Sequence, residues 1–464
     1  VAENYFIYGA GNLGGQAASM LLSSGNRLLA WIDADDARAG QERCGAFIYG
    51  IETFPDDHES SVVVAVAHGF DEIRASLVTQ GVDEKRILPF GVFMVAMAKS
   101  LATMLPSAGA VAQKDEADIY LCLSHGFPLG GIEAFCVELY ERLTRMGHRV
   151  KFLCLAEPYA IPSSVRKDVI TFPQKDGFAE NVRQALQFLK GVRDKIVVIN
   201  YLRPVELAAV ALQNTRSFRI LSILHSDSES VYRNNVAFAP SVYAFVGVSD
   251  LACRHMIEAG VEPARVYSTT LPITGPDALT RSYAKEEEPI RIGYAGRIVK
   301  SPKRLDLQLE LIHRLESEGI AYEYHFMGSG TYEDDVRAFI KHEGIDDHVL
   351  LHPPCPRTKI GAFWQQMDVC ISTSIWEGRG ISILEAMMWG AVPVITETAG
   401  AHQDIDDGRS GYIVPIGDID AMAGRVLELA QHRDRLPVMG RNAYERVRKY
   451  GDFEAFDALW RELL

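Results

Sequence analysis

Cysteine is scarce in this chain: seven occur in 464 residues, at positions 44, 122, 136, 154, 253, 355 and 370, and no two are spaced Cys-x-x-Cys. An odd count without that spacing argues against a disulfide framework and a thiolate zinc site, and suits a reducing cytoplasm. Basic charge is also in deficit, with 47 Lys plus Arg against 61 Asp plus Glu and a net charge of −14. Nucleic acid is therefore not expected as a partner, because counterion release needs a basic surface. Long apolar runs are missing too. The nearest, GVFMVAMAKSLATML at 91–105, is broken by Lys99 and falls short of the roughly 20 residues a spanning helix needs; it reads as a packed linker helix. No basic region with a cleavage site precedes the first apolar strand, so export is not expected. No Asp-x-Asp pair at a strand end is read as a carboxylate metal site, and no metal ligand is assigned.

What remains is an ordinary soluble composition, 48% hydrophobic and 23% charged. At about 150 residues per domain, the length suggests roughly three domains. Strand-like apolar runs followed by helical periodicity recur along the chain, the pattern of an α/β protein with parallel sheets. Residues 1–90 read as a small Rossmann-like domain, with strands at 5–8, 27–32 and 61–67 and a helix at 13–24. Residues 91–115 are the linker helix and a join, flexible over the small, weakly patterned SAGAVAQK at 107–114. Residues 116–280 and 281–464 each read as a Rossmann-like half. The three blocks, with the join counted in the first, carry 8, 17 and 22 basic and 14, 17 and 30 acidic side chains. The middle block alone is neutral, and of the three it is the one electrostatics favours for contact with an anionic membrane surface.

The densest constellation is IWEGRGISILEAMMWG at 375–390. Gly378 and Gly380 let the backbone turn tightly against a ligand, and a helix starts at Ile381. Its free amides and dipole make an anion site. Glu385, one turn further on, is placed to accept hydrogen bonds from a ribose, while Glu377 precedes the turn and can meet a second polyol. Met387, Met388 and Trp389 read as helix core. Upstream, Arg297 and Lys303 stand six apart on a loop after a strand. Fixed cations there would hold a diphosphate and stabilise the charge that grows on it when a glycosidic bond breaks.

With these motifs in order, the chain resembles the retaining GT-B glycosyltransferases that carry a Glu-x7-Glu motif, hexosyltransferases of bacterial envelope polysaccharide and glycolipid assembly. The resemblance covers about 118–464 and includes PLGGIEAF at 128–135, AGRIVKSPK at 295–303, MGSGTYEDD at 327–335, EGRGISILEAMMWGAVPVI at 377–395 and GRSGYIVPIGD at 408–418. It implies two Rossmann-like domains facing a cleft and metal-independent transfer from a UDP- or GDP-sugar to a glycan or lipid-linked acceptor. It also implies residue roles: Arg297 and Lys303 on the diphosphate, Glu385 on the ribose, Glu377 on the donor sugar, and Gly130 with Gly131 closing over the phosphates. Gly328, Gly380 and Ile381 complete the donor-binding set. His225 falls where relatives have a histidine near the reacting carbon, though a strand-end histidine is as often a satisfied structural residue. The chain departs from the pattern at Arg379, where an apolar residue is usual. A second reading, a nucleotide-sugar sensor that no longer turns over, rests on Arg379 and on the open role of His225.

The first block carries YGAGNLGG, with Gly9, Gly11 and Gly14 between a strand and a helix, and Asp33 closes the next strand. That is the context of a dinucleotide fingerprint. Both a nucleotide-binding regulatory site and a structural remnant fit it. A nicotinamide oxidoreductase is the weakest reading, because the block has no Tyr-x-x-x-Lys pair.

Overall fold

The computed structural model describes residues 2–106, 117–123, 130–155, 161–201 and 203–464. The join expected at 107–114 and the first part of the glycine loop, 128 and 129, lie outside the described residues. The chain forms three sheets. The first runs in the order Glu42–Arg43, Ala46–Tyr49, Arg27–Ile32, Asn4–Tyr8, Ser61–Val64, Ile87–Pro89. Its neighbours are parallel except for the antiparallel pair at Glu42–Arg43. The sequence reading had three strands here; those it missed are two to four residues long, too short to show a period.

The middle sheet is parallel throughout, in the order Val266–Ser268, Ala244–Gly247, Arg219–Leu224, Ile196–Ile199, Ile119–Leu123, Val150–Leu155, Val169–Phe172. The third, also parallel, runs Val349–His352, Tyr322–Met327, Ile290–Ala295, Val369–Ser372, Val392–Thr396, Tyr412–Val414. Central strands such as Ile119–Leu123 and Val392–Thr396 are buried at every position, which is why they read as unbroken apolar runs. In all three sheets the first strand of the block lies at the point where strand order reverses. A crevice opens there, beyond the carboxyl ends of the strands.

The linker helix, Phe90–Met104, is apolar on most of its surface because it serves two domains. Its buried Phe93, Met94, Met97, Ala98 and Leu101 belong to one continuous core with Ile7 and Met20 of the first block and Leu186, Leu207 and Phe238 of the middle block. At about 1.5–3 kcal/mol for each large side chain fully buried, such a core ties the blocks firmly together. Polar contacts complete the join. Lys190 Nζ donates to the carbonyls of Ala102 (2.6 Å) and Leu105 (2.8 Å) at the helix C-terminus, and Arg233 pairs with Asp71 at 2.9 Å. A second core joins the middle block to the third and to the last helix, Phe453–Leu463. Arg142 of the middle block holds Asp457 of that helix, with Nε donating to Oδ1 at 2.7 Å.

Candidate active site

The crevices of the second and third sheets face each other. Gly131 opens the helix Gly131–Arg145, and a Cβ placed on it would lie 3.6 Å from Ile381 Cδ1 at the start of the helix Ile381–Met388. Gly378 presses against the carbonyl oxygen of His225, which a Cβ there would overlap. Both contacts bridge the halves, and the one at Gly378 requires glycine for its close approach. Gly130 is the N-terminal cap of its helix, as Gly380 is of the other. Gly328, at φ +152°, lies directly under the Gly296 carbonyl, locking the loop after Tyr322–Met327 to the loop that carries Arg297.

Lys303 and Glu377 are brought together, with Nζ donating to Oε1. Ser374 Oγ donates to the same carboxylate oxygen at 3.0 Å. Arg297 is exposed on the cleft wall, and its backbone carbonyl accepts from Tyr294 Oη at 2.7 Å. Glu133, on the facing helix, lies close enough to feel both Arg203 and Arg297. Burial raises its pKa, and those two cations only partly offset the rise.

Glu385 accepts from Arg357 Nε at 3.1 Å. Burial pushes its carboxyl above the ordinary range, against the pull of Arg357. Arg357 also reaches across the cleft, donating from Nη1 to the Ala134 carbonyl at 3.1 Å.

His225 follows the strand Arg219–Leu224, its ring edge-on to Phe135 with centroids 5.2 Å apart. Its Nε2 lies 2.7 Å from Asn200 Oδ1. The Asn200 amide nitrogen donates to the Cys122 carbonyl at 2.7 Å, which fixes the amide so that its oxygen faces the ring. His225 therefore carries its proton on Nε2 and offers an unprotonated Nδ1. Enclosure of the ring, with Arg203 nearby, pushes its pKa down to about 3, so the ring is neutral at physiological pH.

Arg379 is not part of this site. It is buried and forms a bidentate ion pair with Asp404, Nε lying 3.0 Å from Oδ1 and 3.1 Å from Oδ2. With its side chain engaged there, Arg379 lends no support to a sensor. The Met387 and Met388 side chains are core, as expected.

Three cleft residues escaped the sequence reading. Asn200 ends four apolar residues and reads as a strand terminus, and Glu133 reads as an ordinary first-turn acid. Arg357 left a signal: it opens a helix, where the dipole disfavours a cation. That cost is offset by Glu385.

The first block's glycine turn is built within the first sheet. Gly9, at φ +96°, donates its N–H to the Ile32 carbonyl at 2.7 Å, and a Cβ on Gly14 would overlap the Gly9 carbonyl oxygen. Gly11 has open space around it, and its carbonyl accepts from Arg43 Nη1 at 3.2 Å. Asp33 accepts from the Ala10 amide (2.8 Å) and from Arg38 Nη1 (3.1 Å). Burial would raise its pKa, but the amides of Asp35 and Ala10, with Arg38, hold it below the usual carboxylate value.

Comparison with known proteins agrees with this architecture. Residues 129–268 match the family described as Glycosyltransferase Family 4, and residues 277–446 match Glycosyl transferases group 1. The chain carries these two glycosyltransferase domains on a GT-B fold. Among curated proteins it is 25% identical over 207 residues to a glycosyltransferase named for colanic acid biosynthesis, WcaL of Salmonella typhimurium, covering 43% of this chain and 51% of that one. It is 26% identical over 176 residues to the poly(ribitol-phosphate) α-N-acetylglucosaminyltransferase of Staphylococcus aureus, covering 37% and 34%. The chain thus spans about half or less of the length of these relatives. Among solved structures, Anabaena HepE in complex with UDP-glucose superposes with a TM-score of 0.61 at 15% identity, covering 75% of this chain and 99% of that one.

Proposed function

We propose that the protein is a retaining glycosyltransferase that moves a sugar from a UDP-sugar to a hydroxyl of a glycan or lipid-linked acceptor in envelope polysaccharide assembly, without a metal. The observation that carries this reading is the convergence, at two facing switch points, of Lys303 on Glu377 and of Arg357 on Glu385 beside the start of the helix Ile381–Met388. The UDP complex of the structural neighbour and the names of the curated relatives support it.

In this reading the donor diphosphate lies between the helix amides at Gly380 and Ile381 and the side chains of Arg297 and Lys303. Gly130 and Gly131 leave room for its phosphates, and Gly328, packed under the Gly296 carbonyl, holds the loop that carries Arg297. Glu385 accepts from the ribose hydroxyls and Glu377 from the donor sugar. The bond from the anomeric carbon to phosphate oxygen breaks while the acceptor oxygen bonds to the same face, and the departing phosphate oxygen takes the acceptor's proton. The two cations stabilise the charge that develops on the diphosphate, and they are already in place before it develops. The neutral His225 presents Nδ1 as an acceptor to the sugar. The neutral middle block is the face we assign to contact with a membrane that carries a lipid-linked acceptor. The first block's turn has no part in transfer: the engagement of Asp33 by Ala10 and Arg38 supports a structural role.

The test is release of nucleoside diphosphate from a panel of UDP-, GDP-, ADP- and dTDP-sugars. Release from a UDP-sugar, lost in Glu385→Ala, is expected. Tight binding without consumption, with acceptors present, would replace the transferase by a sensor.

A further inference from the structure

The first and third blocks touch beside the cleft. His68, in the loop after the strand Ser61–Val64, stacks on Trp376, with ring centroids 5.0 Å apart and planes 21° from parallel. Trp376 immediately precedes Glu377 and remains 40% exposed, the one tryptophan among the large hydrophobic side chains that stay exposed. The indole is braced by a neighbouring domain and keeps part of its surface in solvent, which leaves aromatic surface free to meet a ligand.

Trp376 lines a cavity of about 530 Å³ between the middle and third blocks, on a side of Glu377 that Lys303 does not line. That volume lies within the roughly 300–1,000 Å³ of ligand pockets. Its polar lining carries four carboxylates, Asp227, Asp250 and Glu397 joining Glu377, with Arg254, Thr398, His402 and Gln403 as groups that can donate. Two of these acids are held in place. Asp227 Oδ1 takes both Tyr232 Oη and, at 2.7 Å, His255 Nδ1. Asp250 Oδ1 accepts from Ser268 Oγ at 2.6 Å.

A flat aromatic face beside oriented carboxylates suits an uncharged pyranose ring, whose C–H face lies on the indole and whose hydroxyls donate to the acids. The excess of carboxylates opposes a phosphorylated acceptor at this position. We propose that Trp376, braced by His68 of the first block, is the platform of an acceptor-sugar subsite in this cavity, and that the first block is thereby part of the acceptor site. Trp376 touches the acceptor; His68 is a positioning residue. The proposal deepens the transferase reading and rests on it for the meaning of the word acceptor.

The experiment is tryptophan emission of the full chain, saturated with UDP, titrated with methyl glycosides of glucose, galactose, mannose and N-acetylglucosamine, and with glucose 6-phosphate. At least one neutral glycoside is expected to give a saturable change that is absent in Trp376→Phe and needs about tenfold more ligand in His68→Ala. Glucose 6-phosphate should bind at least tenfold more weakly than the preferred glycoside. In turnover, His68→Ala should raise the acceptor KM about tenfold and leave the donor KM within twofold. Emission unchanged by every neutral glycoside while UDP binds normally would overturn the subsite and leave the transferase reading standing. An equal response in His68→Ala would also overturn it, reducing the stack to domain docking. Failure of UDP to bind, read by calorimetry, would sink the transferase reading; a glycoside response through Trp376 would then still support the sugar platform.

Discussion

The glycine turn at 9–14 and the glycine turn at 378–380 each join a strand to a helix, and each draws its backbone close to a neighbour that excludes a side chain. They differ in what that neighbour is. Gly14 closes on Gly9 of its own turn, and the surrounding Asp33, Arg38 and Arg43 bond to each other and to the turn. Gly378 closes on His225 of another domain, with Lys303 paired to Glu377 and Arg357 joining Glu385 to the Ala134 carbonyl of the facing half. The same backbone device is thus a fold element in one place and a wall of a cleft in the other. What decides is the face opposite the turn, which spacing alone does not encode.

The largest expected effect concerns what anchors the second turn. Replacing Asp404 by Ala leaves Arg379 buried without its counter-ion, and should cost about 3–5 kcal/mol of stability in denaturant unfolding. A loss below 1 kcal/mol would mean that the turn is held by something else. Next is the charge aimed at the diphosphate. Lys303→Ala should lower kcat/KM about 10²–10³-fold with unfolding unchanged within about 1 kcal/mol.

The comparison sharpens with two matched alanines. Gly14→Ala forces apart the first turn and should cost about 1–3 kcal/mol of stability, leaving per-molecule turnover at low temperature intact. Gly378→Ala pushes the halves apart at His225 and should lower kcat/KM tenfold or more for a similar loss of stability. Equal effects on turnover would erase the distinction between the turns.

The most gradual effect is in pH. The His225 pKa of about 3 in the folded chain lies below the ordinary value near 6.5. Above pH 6.5 the ring is neutral in both states and adds no pH dependence. As pH falls from 6.5 toward 3, only the unfolded chain takes up the proton, so stability declines by up to about 1.4 kcal/mol per pH unit. Urea unfolding at pH 7 and pH 5 should show this decline shrink in His225→Gln.

Much of this was legible in sequence. Buried parallel strands are apolar at every position, so Ile119–Leu123 and Val392–Thr396 announced themselves, and the Glu-x7-Glu segment carried its glycines, helix start and acids in one run. The short strands Glu42–Arg43, Ala46–Tyr49 and Ile87–Pro89 were not legible, because a period needs more residues than they have. The partners of the named acids were hidden for another reason. Arg357 meets Glu385 from 28 positions away, Asn200 meets His225 from 25, and His68 meets Trp376 from another domain. Such pairs are set by tertiary packing. Arg379 misled for the same cause: its partner, Asp404, is 25 residues on.

In the proposed function the nucleotide sits in the cleft between the second and third blocks. Calorimetric titration of UDP into the full chain, beside a Lys303→Ala, Glu385→Ala double variant and an Asp33→Asn variant, tests it most directly. The account predicts one UDP per chain, binding lost in the double variant and unchanged in Asp33→Asn. Binding that survives the double variant and disappears in Asp33→Asn would place the nucleotide on the first turn and contradict it.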